Sequence, residues 1–166
     1  RMEYPFFPVI RNFGDHLIVN GLEQVNLLYS SEIGFSDTSS TSPAIPLLTT
    51  SDRSGLMTGF FHLSPMQNPF FNSLNQPGKV VGALATVKSD STATVSQVIL
   101  VSDSQFFSDS GGGIFPENFV FVANAVDFLM GDSDLVGLRS REITTRPLGL
   151  VENAEKLRWK WANILL

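Results

Sequence analysis

Gln97-Val-Ile-Leu-Val-Ser-Asp103, a glycine-rich loop and the apolar run Glu117 to Met130 form the stretch on which the fold turns. Val98, Ile99, Leu100 and Val101 make the continuous apolar run that a strand covered on both faces needs, and such strands belong mostly to parallel sheets flanked by helices. Asp103 then falls at or just beyond the strand's C-terminal end, the edge at which open α/β sheets place ligands. After Ser104 to Ser110 come Gly111, Gly112 and Gly113, which permit backbone conformations that side chains forbid. A loop of this length is able to move.

The helix over Glu117 to Met130 starts in one of two ways: Pro116 at its first position, or Asn118 as its cap, the preferred reading. At 100° per residue Glu117, Asn124, Asp127 and Gly131 fall in one narrow stripe and apolar residues cover the rest. That pattern predicts a helix buried on most sides. Asn124 within it needs a partner, because a buried amide left unpaired costs about 1–3 kcal/mol; a neighbouring loop is the expected one. Gly131 suits a left-handed terminator, and Leu135 to Arg139 reads as a short strand returning to the sheet.

Working outward, Lys79 to Val87 is the clearest second strand, with a Ser/Thr-rich turn leading from it to Gln97. Ala44 to Thr49 and Gln24 to Tyr29 are further strands, the latter half-buried by its alternation. Met2 to Ile10 is an extended edge, because its prolines discourage a central position. Asp15 to Gly21 reads as a helical turn closed by glycine, and Ser36 to Ser42 as a surface loop. Residues 53–78 show no sustained period, and such runs are uncommon unless functional or mobile. Four Phe-Phe pairs, beginning at 6, 60, 70 and 106, would point to both faces of a strand, so that some rings lie exposed or meet a partner.

The chain has 166 residues, enough for one domain with a proper core. Zero cysteine removes disulfides, a thiolate nucleophile and cysteine-ligated metals. A net charge of -5 argues against nucleic acid. The charge is uneven: residues 139–166 hold six Lys or Arg against three Asp or Glu, and residues 1–138 hold five against thirteen. The tail from Leu157 to Leu166, with Trp159 and Trp161 among basic residues, supports two readings. It is the lead-in to a membrane helix, or an amphipathic terminal helix whose Val151, Ala154, Leu157, Trp161, Ile164 and Leu165 dock on the domain.

Local signatures of chemistry are sparse. The glycine triplet lacks dinucleotide-fingerprint spacing, and neither a Walker motif nor a G-x-S-x-G elbow occurs. His16 and His62 have no second histidine at metal-binding spacing. Asp103, Asp109, Asp127, Asp132 and Asp134 do not follow the calcium-loop pattern, so capping and solvation are their readier roles. Phe70 and Phe71 beside Asn68, Asn72, Asn75 and Gln76 mix aromatic faces with amides, as a sugar site would; core Phe with turn-forming Asn is the plainer reading.

Several segments together resemble a known family. They are Tyr4-Pro-Phe-Phe-Pro-Val-Ile, Asp15-His16-Leu-Ile-Val-Asn-Gly-Leu, Pro46-Leu-Leu-Thr-Thr, Val98-Ile-Leu-Val-Ser-Asp103-Ser-Gln-Phe-Phe, Asn124-Ala-Val-Asp-Phe-Leu-Met-Gly-Asp132, and Leu138-Arg-Ser-Arg with Arg146-Pro-Leu. In that order they resemble GldG-type proteins, auxiliary components of ABC transport systems associated with gliding motility in Bacteroidetes. The family's usual Gly-Asp is Ser102-Asp103 here, and its helix Trp is Phe128.

The resemblance implies a GIFT-like α/β domain, Rossmann-like or flavodoxin-like, with a mostly parallel sheet, helices on its faces and long loops. It implies a periplasmic position, with residues 1–150 as one extracytoplasmic domain and 151–166 as a helix leading toward a membrane segment. The implied role is non-enzymatic and needs no cofactor, with the transporter's membrane and ATPase subunits as partners. Asp103, Ser104, Asp109 and Asn124 are the candidate ligand-binding residues, with no catalytic or metal-binding residue among them. A carbohydrate-binding module is the alternative. A hydrolase or transferase on an amidotransferase-like scaffold, working through Asp103 and a nearby Ser or His, is the second.

Overall fold

The computed structural model describes residues 4–35, 44–88 and 95–132. Its strands are β1 (Val9–Ile10), β2 (Asn12–Phe13), β3 (Val25–Asn26), β4 (Ala44–Thr49), β5 (Val80–Lys88) and β6 (Val95–Val101), followed by one helix, α1 (Pro116–Leu129). Among the described residues β1 pairs with β3, and a second sheet runs in the order β2-β4-β5-β6. Every pairing is antiparallel. The mostly parallel, Rossmann-like or flavodoxin-like α/β architecture is therefore overturned.

The reason lies in which strand is covered on both faces. Val81, Gly82, Ala83 and Leu84 of β5 are consecutive buried residues, with β4 on one side and β6 on the other. In β6 only Ile99 and Val101 pack against the core, while Val95, Val98 and Leu100 are exposed. The aliphatic run that suggested a central parallel strand is thus the outer strand of the described sheet, paired with β5 from Gly82↔Val101 to Lys88↔Val95.

β4 carries a second departure from regular alternation. Its register slips between Pro46 and Leu48, and Leu47 and Leu48 are both fully buried. An extra residue at a bulge brings two neighbours to the same side and gives Pro a place inside a sheet. Gly14 closes the irregularity from β2: its amide donates to the Leu47 carbonyl at 3.0 Å. A Cβ at Gly14 would lie 2.1 Å from the Pro46 carbonyl oxygen.

The core gathers Ile10, Val25 and Leu27 from the N-terminal segment, Leu47, Leu48, Val81 and Leu84 from the sheet, and Phe106, Phe121 and Ala125 from the loop and helix. Ile18 and Val19 join it from a 3-10 turn over Leu17–Val19, which is followed by Gly21 at φ 79°. The glycine-closed turn expected there is present. Gln24 to Tyr29 forms a shorter strand than its alternation suggests, and Val25, Asn26 and Leu27 are buried in succession.

α1 starts with Pro116 in its first turn and Phe115 as cap, so Asn118 is not the cap. Gly131 follows its C-terminus at φ 84°, the left-handed residue expected. The predicted burial of most of its surface is wrong. Asn118, Phe121, Asn124 and Ala125 form the one buried stripe, and Phe119, Val126, Leu129 and Met130 are exposed. The two amides lie on the inner side because backbone groups of other segments wait there for them. Leu135–Arg139, the Ser36–Ser42 loop and the C-terminal tail lie outside the described residues.

Candidate functional site

The chain turns sharply after β6. Ser102 continues the pairing, donating from its amide and its hydroxyl to the Val81 carbonyl. Asp103 then spends both carboxylate oxygens on backbone: Oδ2 accepts from the Leu28 amide and Oδ1 from the Gln105 amide, each at 2.7 Å. Bonds of this charge-assisted kind are short and strong. Asp103 fastens the segment after β3 to the start of the loop.

The loop itself is folded tightly on its own backbone. Gly112 donates to the Gln105 carbonyl at 2.8 Å, and Gly111 and Gly113 both donate to the Ser108 carbonyl at 3.0 Å. The glycines are required here by close approach, since a Cβ on Gly112 would stand 2.1 Å from the Phe106 carbonyl oxygen. Ser104 and Asp109 project from this loop into solvent.

Asn118, which the sequence suggested only as a cap, is the residue that joins these parts. Its side chain is 0% exposed. Oδ1 accepts from the Asn26 amide at 2.8 Å, and Nδ2 faces the carbonyls of Asn26 (2.8 Å), Phe106 (3.0 Å) and Gly112 (3.0 Å). One amide thereby locks β3, the loop and α1 together. Its signal in the sequence was a polar residue in a largely apolar helix, the same signal that singled out Asn124. Asn124 lies two turns further on, fully buried, with Nδ2 donating to the Ile18 carbonyl at 3.1 Å. The structural loop partner expected for it is this turn.

The four candidate ligand residues therefore separate by position. Asp103 is engaged by backbone amides, Asn124 is buried against the 3-10 turn, and Ser104 and Asp109 are exposed on the loop. His16 belongs to the same turn: Nδ1 accepts from the Ile18 amide, and the ring meets Phe128 edge-on at 4.8 Å. Partial burial lowers its pKa, with Asp15 opposing the shift. Among the described residues no group of three or more His, Cys, Asp or Glu is placed to hold a metal ion.

A second region is built from the N-terminal aromatics and residues 54–78. Tyr4, Phe6, Phe7, Tyr29, Phe70 and Phe71 form one connected ring cluster, with Phe6 stacked on Phe70 at 5.7 Å and 11°. Tyr4 donates its hydroxyl to the Leu63 carbonyl at 2.6 Å. Desolvation raises its pKa, and the neighbouring Tyr29 adds to the shift. Beside the cluster lies an open recess of about 380 Å³ lined by Gln67, Asn68, Pro69, Phe71 and Asn72. Gln67 holds the left-handed conformation at φ 52°, uncommon for a residue with a Cβ. Of the residues proposed for a sugar site, Phe71 and Asn72 face this recess. Phe70 is occupied by Phe6, and Asn68 is turned inward to bond the loop's own backbone.

Among the described residues, then, two antiparallel sheets and one α-helix are joined by polar side chains bonded to backbone. Residues 1–131 match the family described as an ABC-type uncharacterized transport system, and the chain belongs to this family of transport-system auxiliary components. No curated protein and no solved structure matches it significantly. Among the described residues no helix is long and apolar enough to cross a membrane.

Proposed function

We propose that this chain is a non-enzymatic, extracytoplasmic domain of an ABC-type transport system, tethered to the membrane and recruiting a ligand or partner protein to the transporter. The observation that carries this reading is the fate of Asp103. Both of its oxygens bond backbone amides, so the residue best placed for acid-base or nucleophilic work is committed to the fold. This also removes the support for the hydrolase or transferase reading. The resemblance to GldG-type proteins extends the proposal to gliding motility or export, with residues 1–150 as the domain and 151–166 leading toward the membrane.

Affinity purification of the full-length protein from membranes in mild detergent tests the reading. Recovery of a stoichiometric ATPase subunit and its membrane partner is the expected result. A protein found free in the soluble fraction, with neither subunit, overturns it.

A carbohydrate ligand is the second reading, and the recess favours it through one combination: an aromatic face, exposed amides and a left-handed Gln67 at its lip. Calorimetry against a glycan panel should then show saturable binding that Asn72→Ala abolishes. A panel with no saturable heat removes this alternative.

A further inference from the structure

Residues 54–78 contain no Asp, Glu, Lys or Arg. Within this span Phe60 is 86% exposed and Met66 72%, and Leu56, Phe61 and Leu63 are exposed as well. Large apolar side chains gathered on one exposed loop mark an interaction site.

The backbone behind these side chains is unusually well provided for. The loop has no regular secondary structure between Leu56 and Met66 beyond bends, yet four of its carbonyls have side-chain donors. Asn68 Nδ2 donates to the His62 and Ser64 carbonyls at 2.6 and 3.2 Å, Tyr4 to the Leu63 carbonyl, and the Ser64 hydroxyl to the Met66 carbonyl at 3.0 Å. At the base, Ser54 bridges to Gln76, and its hydroxyl donates to the Pro77 carbonyl at 2.7 Å. In water these carbonyls would be solvated at no cost. In an apolar medium each unsatisfied one is expensive.

We propose that the Leu56–Met66 loop seats itself in the interfacial zone of a lipid bilayer, with Phe60 and Phe61 leading. Three observations favour lipid over a protein partner. Protein partners are commonly steered by charge, whereas residues 54–78 carry no Asp, Glu, Lys or Arg, and the nearest in sequence are Asp52, Arg53 and Lys79 at the base of the loop. A ring exposed to 86% has almost no neighbours, so a protein partner would need a pocket for it, while acyl chains fit any shape. The side-chain donors to the carbonyls of His62, Leu63, Ser64 and Met66 lower the cost of carrying the segment behind Phe60 and Phe61 to a depth where water is scarce. The loop offers no Lys or Arg to anionic headgroups, so binding through it is apolar and insensitive to salt. The inference goes beyond the transport role proposed above, because a transporter component need not touch lipid through this loop.

Flotation of the 166-residue chain, whose described residues hold no membrane-spanning helix, with phosphatidylcholine vesicles tests it. The expected partition coefficient is the same at about 0.1 and about 0.5 M salt, a change that cuts the Debye length to roughly half, is not raised by anionic lipid, and falls at least about tenfold in Phe60→Ser/Phe61→Ser with an unchanged melting temperature. Because the chain has no cysteine, an environment-sensitive dye at Thr58→Cys reports the loop alone. It should brighten on addition of vesicles, while the same dye at Glu23→Cys does not.

Binding that requires anionic lipid and disappears in salt assigns the contact to basic residues elsewhere and overturns the proposal. So does a double variant that partitions like the parent, or a Thr58 dye that stays in water. Loss of the ATPase subunit in the double variant, with no vesicle binding by the parent, replaces lipid with a protein surface. Recovery of that subunit unchanged, with no vesicle binding, refutes the lipid contact and leaves the transport role standing.

Discussion

Asn118 and Asn68 do the same chemistry in two regions with opposite outcomes. Each is a nearly inaccessible amide that donates through Nδ2 to carbonyls of irregular backbone and accepts a backbone amide through Oδ1. Around Asn118 the organised segments send Phe106 and Phe121 into the core, where the rings meet edge-on at 5.6 Å, while Phe107, Ile114 and Phe119 stay outside. Around Asn68 they turn outward, leaving Phe60, Phe61 and Met66 in solvent. Ordering a loop costs conformational entropy in either case. In the first region burial offsets that cost within the domain; in the second the offset must come from whatever the loop meets.

The sharpest way to break the comparison is Asn118→Ala. It strands the amide and carbonyl of Asn26 and two loop carbonyls in a buried place, and about 3 kcal/mol of unfolding free energy should be lost, the upper part of the range for unsatisfied buried groups. Denaturant titration with an unchanged slope measures it. Asn118→Asp should be worse still, because it sets a carboxylate against three carbonyl oxygens. A loss below about 1 kcal/mol in the alanine variant would show that the lock is dispensable.

Asp103→Ala removes two charge-assisted bonds at a partly buried position and should cost about 2 kcal/mol by the same titration. Asn68→Ala should lower global stability by no more than about 1 kcal/mol. Its main effect is local: the backbone around His62 should become much more sensitive to limited proteolysis. If Asn68→Ala instead matches Asn118→Ala in the unfolding titration, the two regions are not different in kind.

The smallest effect is pH dependence through His16. Its pKa is lowered in the folded state by burial, so between the folded value and the ordinary value of about 6.5 the unfolded chain holds a proton that the folded chain does not. The contribution is complete above pH of about 6.5 and is lost as pH falls through the folded value. A protonated Nδ1 can no longer accept from Ile18. His16→Gln should flatten the dependence of melting temperature on pH between about 5 and 7.

The strands of the sheet were legible in the sequence where composition alone decides. Ala44–Thr49 and Val80–Lys88 lie almost where their β-branched and apolar residues place them, and α1 spans Pro116–Leu129 against an expected Glu117 to Met130. Their mutual direction was not legible. An aliphatic run such as Val98 to Val101 says that a strand is apolar without saying which neighbours cover it, and among the described residues β6 is paired on one side only while β5 takes the covered place.

The inner side of α1 was legible at one of its two amides. Asn124 is expected from the sequence to be buried against a loop and meets the Ile18 carbonyl, whereas Asn118 reads as a cap because nothing local reveals the Asn26 carbonyl, 92 positions away, that it serves. Of the candidate ligand residues, the sequence could mark Asp103 as sitting at a strand end. It could not show that the amides of Leu28 and Gln105 already occupy it.

The distance along the chain between Asn118 and Asn26 also bears on the order in which a nascent protein acquires its shape. The segment that holds β1 and β3 leaves the ribosome well before the residue that fastens it, so these strands have no lock until α1 has been made. Pairing contacts this remote slows closure relative to a fold built from adjacent pieces. Under the extracytoplasmic placement proposed above, such a delay would ease threading, because the clasp forms only when α1 has followed.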